Sequence, residues 1–134
     1  MVHYRLTSLW ALQAGFTAEE AERIAAADRG VDREFPAGAS LWGVFHHFGP
    51  MAFAMSVHYR RRAFKTRSLE DLGRALHCIQ DTVAHGVLGL AHLRFDLHVG
   101  RNPDDWTHAP QWEREHIERI TRRMLQRYRD AGAA

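Results

Sequence analysis

Within LHCIQDTVAHG, from Leu76 to Gly86, the residues His77, Asp81 and His85 recur at steps of four. A helix turns about 100° per residue, so a step of four advances only about 40°. The three side chains therefore share one narrow stripe, about 12 Å long from first to last. That is too long for all three to bind one ion. It suits two ions a few ångströms apart with Asp81 between them, as in two-metal phosphoesterases. Imidazole and carboxylate donors suit zinc, with manganese and iron as the other divalent candidates. A lone helical histidine is ordinarily a surface or satisfied core residue. Here the stripe sits among Leu72, Leu76, Ile79 and Val83, where an uncompensated carboxylate is expensive to bury. Cations at the stripe would compensate it.

Helices must position these groups, since no segment shows sustained apolar–polar alternation. Apolar residues at Leu6, Leu9, Trp10, Leu12 and Ala14 predict a helix over Tyr4 to Ala14. Gly15 ends it. Thr17-Ala-Glu-Glu20 is a capping box, so a second helix is predicted from about Ala18 to Ala27. Asp28 to Ala39, with two glycines and Pro36, reads as a loop. Ser40 to Phe48 is apolar and aromatic and ends in His46-His47, after which Gly49-Pro50 breaks or kinks the chain. Met51 to Phe64 reads as a helix whose arginine-rich end complements its dipole. Ser68 is a good N-cap for a long helix from Leu69 to about Leu90. His92 to Ala109, with Asn102-Pro103, reads as a polar loop. The last helix spans Gln111 to Arg129, with Trp112, Ile117, Ile120, Met124, Leu125 and Tyr128 as its apolar stripe. The expected fold is all-α: one domain over residues 1–134, a bundle of about five or six helices around a multinuclear metal site.

Composition narrows the class. At 134 residues, with 46% hydrophobic and 25% charged residues, the chain is long enough to bury a real core. No apolar run approaches the eighteen or more residues of a membrane span. The N-terminus lacks the charged start and apolar stretch of a secretory signal, so the cytoplasm is the expected compartment. Cys78 is the single cysteine, so no intrachain disulfide forms. It lies about 100° around the helix from His77 and reads as core. The formal charge of +2 is too small to argue for a nucleic-acid partner. Lys65 is the only lysine against seventeen arginines, which codon bias explains as readily as selection for phosphate-binding forks. Ten histidines, scattered along the chain, exceed ordinary usage, and histidine is the commonest protein metal ligand.

Four further pieces, in order, carry a resemblance. They are VHYRLTSLWALQAGFTAEEAERIAAADRGVD, then HHFG, then LGRALHCIQDTVAHG, then LHVGRNPDDW, and they cover about residues 3 to 106. The ordered set resembles the bacterial zinc-dependent phospholipase C and single-strand-specific nuclease superfamily. The first piece is similar to its opening histidine, two helices and aspartate loop; the second to its His-Phe element; the third to its central metal-binding helix; the fourth to a later histidine followed by a Pro-Asp pair. The resemblance implies that Asp32, one of His46 and His47, His77 and Asp81 hold one ion, with His47 favoured because it precedes Phe48. It implies that His85 and His98, with Asp104, hold a second, and that His3 with Asp81 serves a third where the family has one. Three departures stand out. Catalytic members are commonly much longer. The phospholipases place the second helical histidine six residues after the aspartate, against four here. Some use a processed N-terminal tryptophan as a ligand, where this chain begins Met-Val.

The expected activity is that of a zinc-dependent hydrolase, a phosphoesterase whose two or three ions activate water for in-line attack on phosphorus. Asp32 would orient that water or accept its proton. The substrate would be a small-molecule or lipid phosphoester. Two alternatives stand beside it: a metal-dependent enzyme of a biosynthetic pathway acting on a non-phosphate substrate, and a non-catalytic helical module that metal stabilises. Arg60-Arg61-Arg62, Lys65 and Arg67 either attract a phosphorylated substrate or form a solvated helix end. Trp42, Phe45, Phe48 and Phe53 read as core or as walls of an apolar cleft. His58, a lone histidine near the arginine cluster, reads as a surface residue; His92, His108 and His116 have no partner pattern.

Overall fold

The computed structural model describes residues 2–35, 49–85 and 106–133. Among them are five α-helices and no strand. They are α1 (Thr7–Gln13), α2 (Ala18–Glu34), α3 (Gly49–Thr66), α4 (Leu69–His85) and α5 (Gln111–Ala133). A π turn, Val2–Leu6, leads into α1, and a short 3₁₀ turn, Trp106–His108, precedes α5. The all-α expectation holds. No helix among the described residues is long and apolar enough to cross a membrane.

The local signals for helix ends act as read. Gly15, at φ +100°, closes α1 in a conformation that costs a glycine little. Thr17 caps α2: its hydroxyl accepts from the Glu20 backbone N–H at 3.1 Å, and Glu20 Oε2 accepts from the Thr17 N–H at 2.8 Å. Ser68 Oγ accepts from the Asp71 N–H at 3.1 Å and so caps α4.

Several boundaries differ from expectation; α5, for one, runs four residues past Arg129 to Ala133. The chain from Asp28 to Glu34 is helix, not loop, and α2 is seven residues longer than predicted. Asp28 and Val31 continue the buried face of Ala21, Ile24 and Ala25, so tertiary packing outweighs the weak helix preference of Gly30. The helix stops at Phe35, which leaves the α region (φ −132°, ψ 71°) directly before Pro36. At the N-terminus the expected regular helix from Tyr4 is instead a π turn. There the Thr7 hydroxyl lies 2.9 Å from the Val2 carbonyl. α3 begins at Gly49, two residues before the expected Met51, because proline is tolerated in a first turn, whose N–H groups have no intrahelical acceptor. Residues 36–48, 86–105 and the extension of α4 to Leu90 lie outside the described residues, as do Trp42, Phe45, Phe48 and His92.

The core runs through α1, α2, α4 and α5, with Trp10, Phe16, Ile24, Leu72, Leu76 and Leu125 among its buried members. Trp106 meets Trp10 edge-on, with centroids 6.3 Å apart. Cys78 is buried as expected. Two aromatics depart: Phe53 is 51% exposed, and Trp112, read as part of the α5 stripe, is 63% exposed. Thr121 is the fully buried member between Ile117 and Leu125. Of the two expected Glu–Arg pairs on α5, Glu118–Arg122 forms at 2.8 Å, while Glu115 accepts from Gln111 Nε2.

The α2–α4 crossing sets the site. A Cβ at Gly73 would lie 2.4 Å from the Ile24 carbonyl oxygen, 2.8 Å from Ala27 Cβ and 2.9 Å from the Asp28 nitrogen. Only glycine lets the backbones approach this closely. Asp28 on α2 and His77 on α4, one turn beyond Gly73, are thereby brought face to face.

Candidate metal centre

Three elements supply the site. The π turn carries His3, α2 carries Asp28 and Asp32, and α4 carries His77, Gln80 and Asp81. The imidazoles of His3 and His77 stack, with centroids 4.0 Å apart and an interplanar angle of 28°. Each ring then has one nitrogen facing inward and one facing outward. The inward atoms meet Asp28: its Oδ1 is 3.0 Å from His3 Nδ1 and 3.3 Å from His77 Nδ1. The outward atoms meet Asp81: Oδ1 is 3.2 Å from His3 Nε2, and Oδ2 is 3.0 Å from His77 Nε2. Asp32 Oδ1 adds a fourth group 3.5 Å from His77 Nε2.

A closed polar network backs the inner side. The Thr7 hydroxyl donates to Asp28 Oδ2 at 2.8 Å. Gln80 Nε2 donates to Thr7 Oγ1 at 3.2 Å and to Thr121 Oγ1 at 3.1 Å. With its amide donor so used, Gln80 presents Oε1 to His3 Nδ1 at 2.9 Å. His3 Nδ1 thus faces two acceptors and must carry a hydrogen. Its Nε2 is therefore the nitrogen that can offer a lone pair. Asp28 Oδ1 also stands behind the His77 ring, 3.3 Å from Nδ1, as a charge contact and not an aligned hydrogen bond. A carboxylate behind a metal-binding imidazole fixes its tautomer and raises its basicity.

The electrostatics favour a cation. Asp28 and Asp81 are buried, while the Asp32 side chain is 59% exposed. Three carboxylates face two imidazoles, so with both rings protonated the cluster still carries one excess negative charge. Burial disfavours the charged form of His3, but hydrogen bonds to Asp28 and Asp81 and their charges outweigh it and raise its pKa well above the ordinary value. For His77, burial and the neighbouring His3 charge oppose protonation. Asp81 and Asp28 prevail, and its pKa is pushed up to about 9.

The donor set fits a divalent ion. One atom each from His3, His77 and Asp81 lies within 4.8 Å of the other two. The His3–Asp81 and His77–Asp81 spacings of 3.2 and 3.0 Å are close to the edge of about 3.3 Å of a tetrahedron with metal–ligand bonds of about 2.0 Å, and Asp32 stands beside the group, 3.5 Å from His77 Nε2. An open cleft of about 460 Å³ reaches this group, lined by His3, Tyr4, Arg5, Arg29 and Asp32. Arg5 and Arg29 are exposed. The Arg29 guanidinium stands 5.6 Å from the centre of the Tyr4 ring, and Tyr4 donates its hydroxyl proton to Glu22 at 2.8 Å.

Of the expected site residues, the fold brings His3, Asp32, His77 and Asp81 together. His3, assigned by resemblance to a separate ion, stands with His77 around the same Asp81. His46, His47, His98 and Asp104 lie outside the described residues, as does the His85 side chain. Sequence reading missed Asp28, Gln80, Thr7 and Thr121. The signal for Asp28 and Thr121 was a polar residue at a core position: Asp28 follows Ile24 by four, and Thr121 lies four from both Ile117 and Leu125. Arg62 leaves the basic run to sit 3.4 Å from Asp71, and Arg67 stacks on Tyr128 at 3.7 Å. His58 is exposed, as expected, and His116 is exposed too.

Comparison with protein-family models, with curated proteins and with solved structures found no match in any of the three.

Proposed function

We propose that the protein is a zinc-dependent hydrolase of phosphate esters, with a centre of two or three ions. The observation that carries this reading is the convergence of His3 Nε2, His77 Nε2 and both Asp81 oxygens beside Asp32, at the end of a cleft flanked by Arg5 and Arg29. The ordered resemblance to the phospholipase C and nuclease superfamily supports it. His3, His77, Asp81 and Asp32 would hold one ion, and His85, His98, Asp104 and one of His46 and His47 are the candidates for the rest.

When bound, a divalent ion supplies Lewis acidity, polarising a phosphoryl oxygen and lowering the pKa of water toward neutrality. The chain's own groups have distinct tasks. Asp28 and Gln80 hold the inner ring nitrogens, so the outer lone pairs stay aimed at one point. Asp32, half open to the cleft, orients the attacking water and accepts its proton. Arg5 and Arg29 bind the anionic phosphoryl oxygens and orient the ester, since guanidinium forks match phosphate geometry. Tyr4, already donating to Glu22, positions Arg29 and transfers no proton.

Elemental analysis of protein purified without added metal, followed by a phosphoester screen, tests this. Two or three zinc equivalents with turnover support it. The D81N variant should lose metal and activity together; full metal content in that variant sinks the assignment. A second reading is favoured by the closed network of Asp28, Thr7, Gln80 and Thr121, which ties the N-terminal turn to α2, α4 and α5. On that reading metal only stabilises the module. Chelation would then lower the melting temperature of a protein that turns over no ester.

A further inference from the structure

On the other side of α4 lies a second concavity. Ile79 is two residues from both His77 and Asp81, about 200° around the helix. It floors a groove of about 590 Å³ between α3 and α5. The two helices run in the same direction. Each is antiparallel to α4, α3 through the tight turn at Arg67 and α5 through the pairs Gln80–Thr121 and Arg67–Tyr128. From Phe53 to Phe64 the groove extends about 16 Å along α3.

Its lining changes character along that length. At the start of α3 the walls are Phe53, Val57 and Ile120, and Phe53 is half exposed. Further along, Arg60 and Arg61 of α3 face Arg123 and Arg127 of α5. Phe64 meets Tyr128 edge-on, with centroids 5.6 Å apart, and closes that end. Among the described residues no acidic side chain lines the groove. Among the described residues none of the four guanidiniums is in an ion pair with a carboxylate, although Arg62 and Arg74 nearby both are. Four cations thus line one end of the groove, Arg60 half-buried and the other three exposed, and an anion seated there is attracted to all four. The volume falls within the range of about 300–1,000 Å³ typical of small-ligand sites.

We propose that this groove binds a single-chain anionic amphiphile, its acyl tail along Phe53, Val57, Ile79 and Ile120 and its carboxylate or phosphate head between the arginines of α3 and α5. The length of the groove selects one extended chain, and its polarity gradient selects head from tail. The site is independent of the metal centre and stands on different residues.

Calorimetric titration of the full chain in the presence of a chelator tests it. The probes are dodecanoate and dodecyl phosphate below their micelle-forming concentrations, with inorganic phosphate and dodecyltrimethylammonium as controls. Saturable one-to-one binding of either anionic amphiphile is expected, and the tighter of the two identifies the head group. Free phosphate should not bind, and the cationic amphiphile should bind at least about tenfold more weakly. The double substitution R60Q/R123Q should weaken binding about a hundredfold, tenfold per lost charged contact, and R60K/R123K should restore most of it. Equal affinity for the cationic chain, an unchanged R60Q/R123Q variant, or binding only to anionic vesicles would each overturn the proposal.

Discussion

Replacing Gly73 by alanine pits two effects of opposite sign against each other. In an ordinary helix interior Gly→Ala stabilises by about 1 kcal/mol, because glycine loses more backbone entropy on folding. At Gly73 the added carbon would sit 2.4 Å from the Ile24 carbonyl oxygen, about 1 Å short of ordinary van der Waals contact. Two of its three nearest neighbours are backbone atoms of α2, so no rotamer change relieves the clash. The helices must move apart, and overpacking of this kind costs about 1–3 kcal/mol or more. Backbone-on-backbone contact puts the cost at the upper end, so the net expectation is a loss of about 2 kcal/mol. That corresponds to a fall of roughly 6–10 °C in melting temperature for a domain of this size. Gly30 is the internal control: it lies in α2, and a Cβ there would meet only Glu34 Oε1 at 3.6 Å. G30A should therefore stabilise by about 0.5–1 kcal/mol. Urea denaturation of both variants reads the signs directly. Separation of α2 from α4 also pulls Asp28 and Asp32 away from His77, so zinc affinity should fall in G73A and hold in G30A. If G73A proves as stable as the parent, the close crossing is wrong, and with it the placement of Asp28 against His77.

Three further outcomes follow from the centre. In the metal-free protein His77 titrates near 9, above its unfolded value of 6.5. A raised folded pKa means that its contribution is complete below about 6.5 and is lost as pH rises through 9, and it is worth about 3 kcal/mol. The urea midpoint with chelator present should therefore drop between pH 6.5 and 9.5, whereas zinc affinity should rise over the same interval as protons cease to compete; a flat midpoint argues against the buried imidazolium. Asp28→Asn removes the charge behind both rings and should weaken zinc binding about 10–100-fold by chelator competition, and unaltered affinity would detach Asp28 from the site. Thr7→Val leaves Asp28 Oδ2 and Gln80 Nε2 each short of a partner and should destabilise by about 1–3 kcal/mol, read by thermal unfolding.

Much of the frame was legible from adjacent residues. The capping box at Thr17, the cap at Ser68, the stop at Gly15 and the stripe of His77 and Asp81 are local, and local sterics and hydrogen bonding act over one or two turns. The end of α2 was misread for the complementary reason. Gly30 and Pro36 are local breaking signals, but the buried face of Asp28 and Val31 gains its energy from α4, some forty residues away.

The site divides along the same line. A periodicity of four places His77 and Asp81 on one face whatever the rest of the chain does, because helix geometry alone sets it. Which carboxylate stands behind the rings is a different kind of fact. Asp28 and Asp32 are equivalent by spacing, and only the Gly73 crossing buries the first and leaves the second at the cleft. His3 reaches the cluster across 25 residues to Asp28 and 77 to Gln80. No local rule encodes such distances. The arginine run of α3 is likewise one block in sequence. Packing sends Arg62 to Asp71 and Arg67 to Tyr128, and leaves Arg60 and Arg61 on a groove that exists only because α5 lies opposite. Chemistry and helical register come from the residues themselves; convergence comes from helices that approach as closely as their smallest side chains allow.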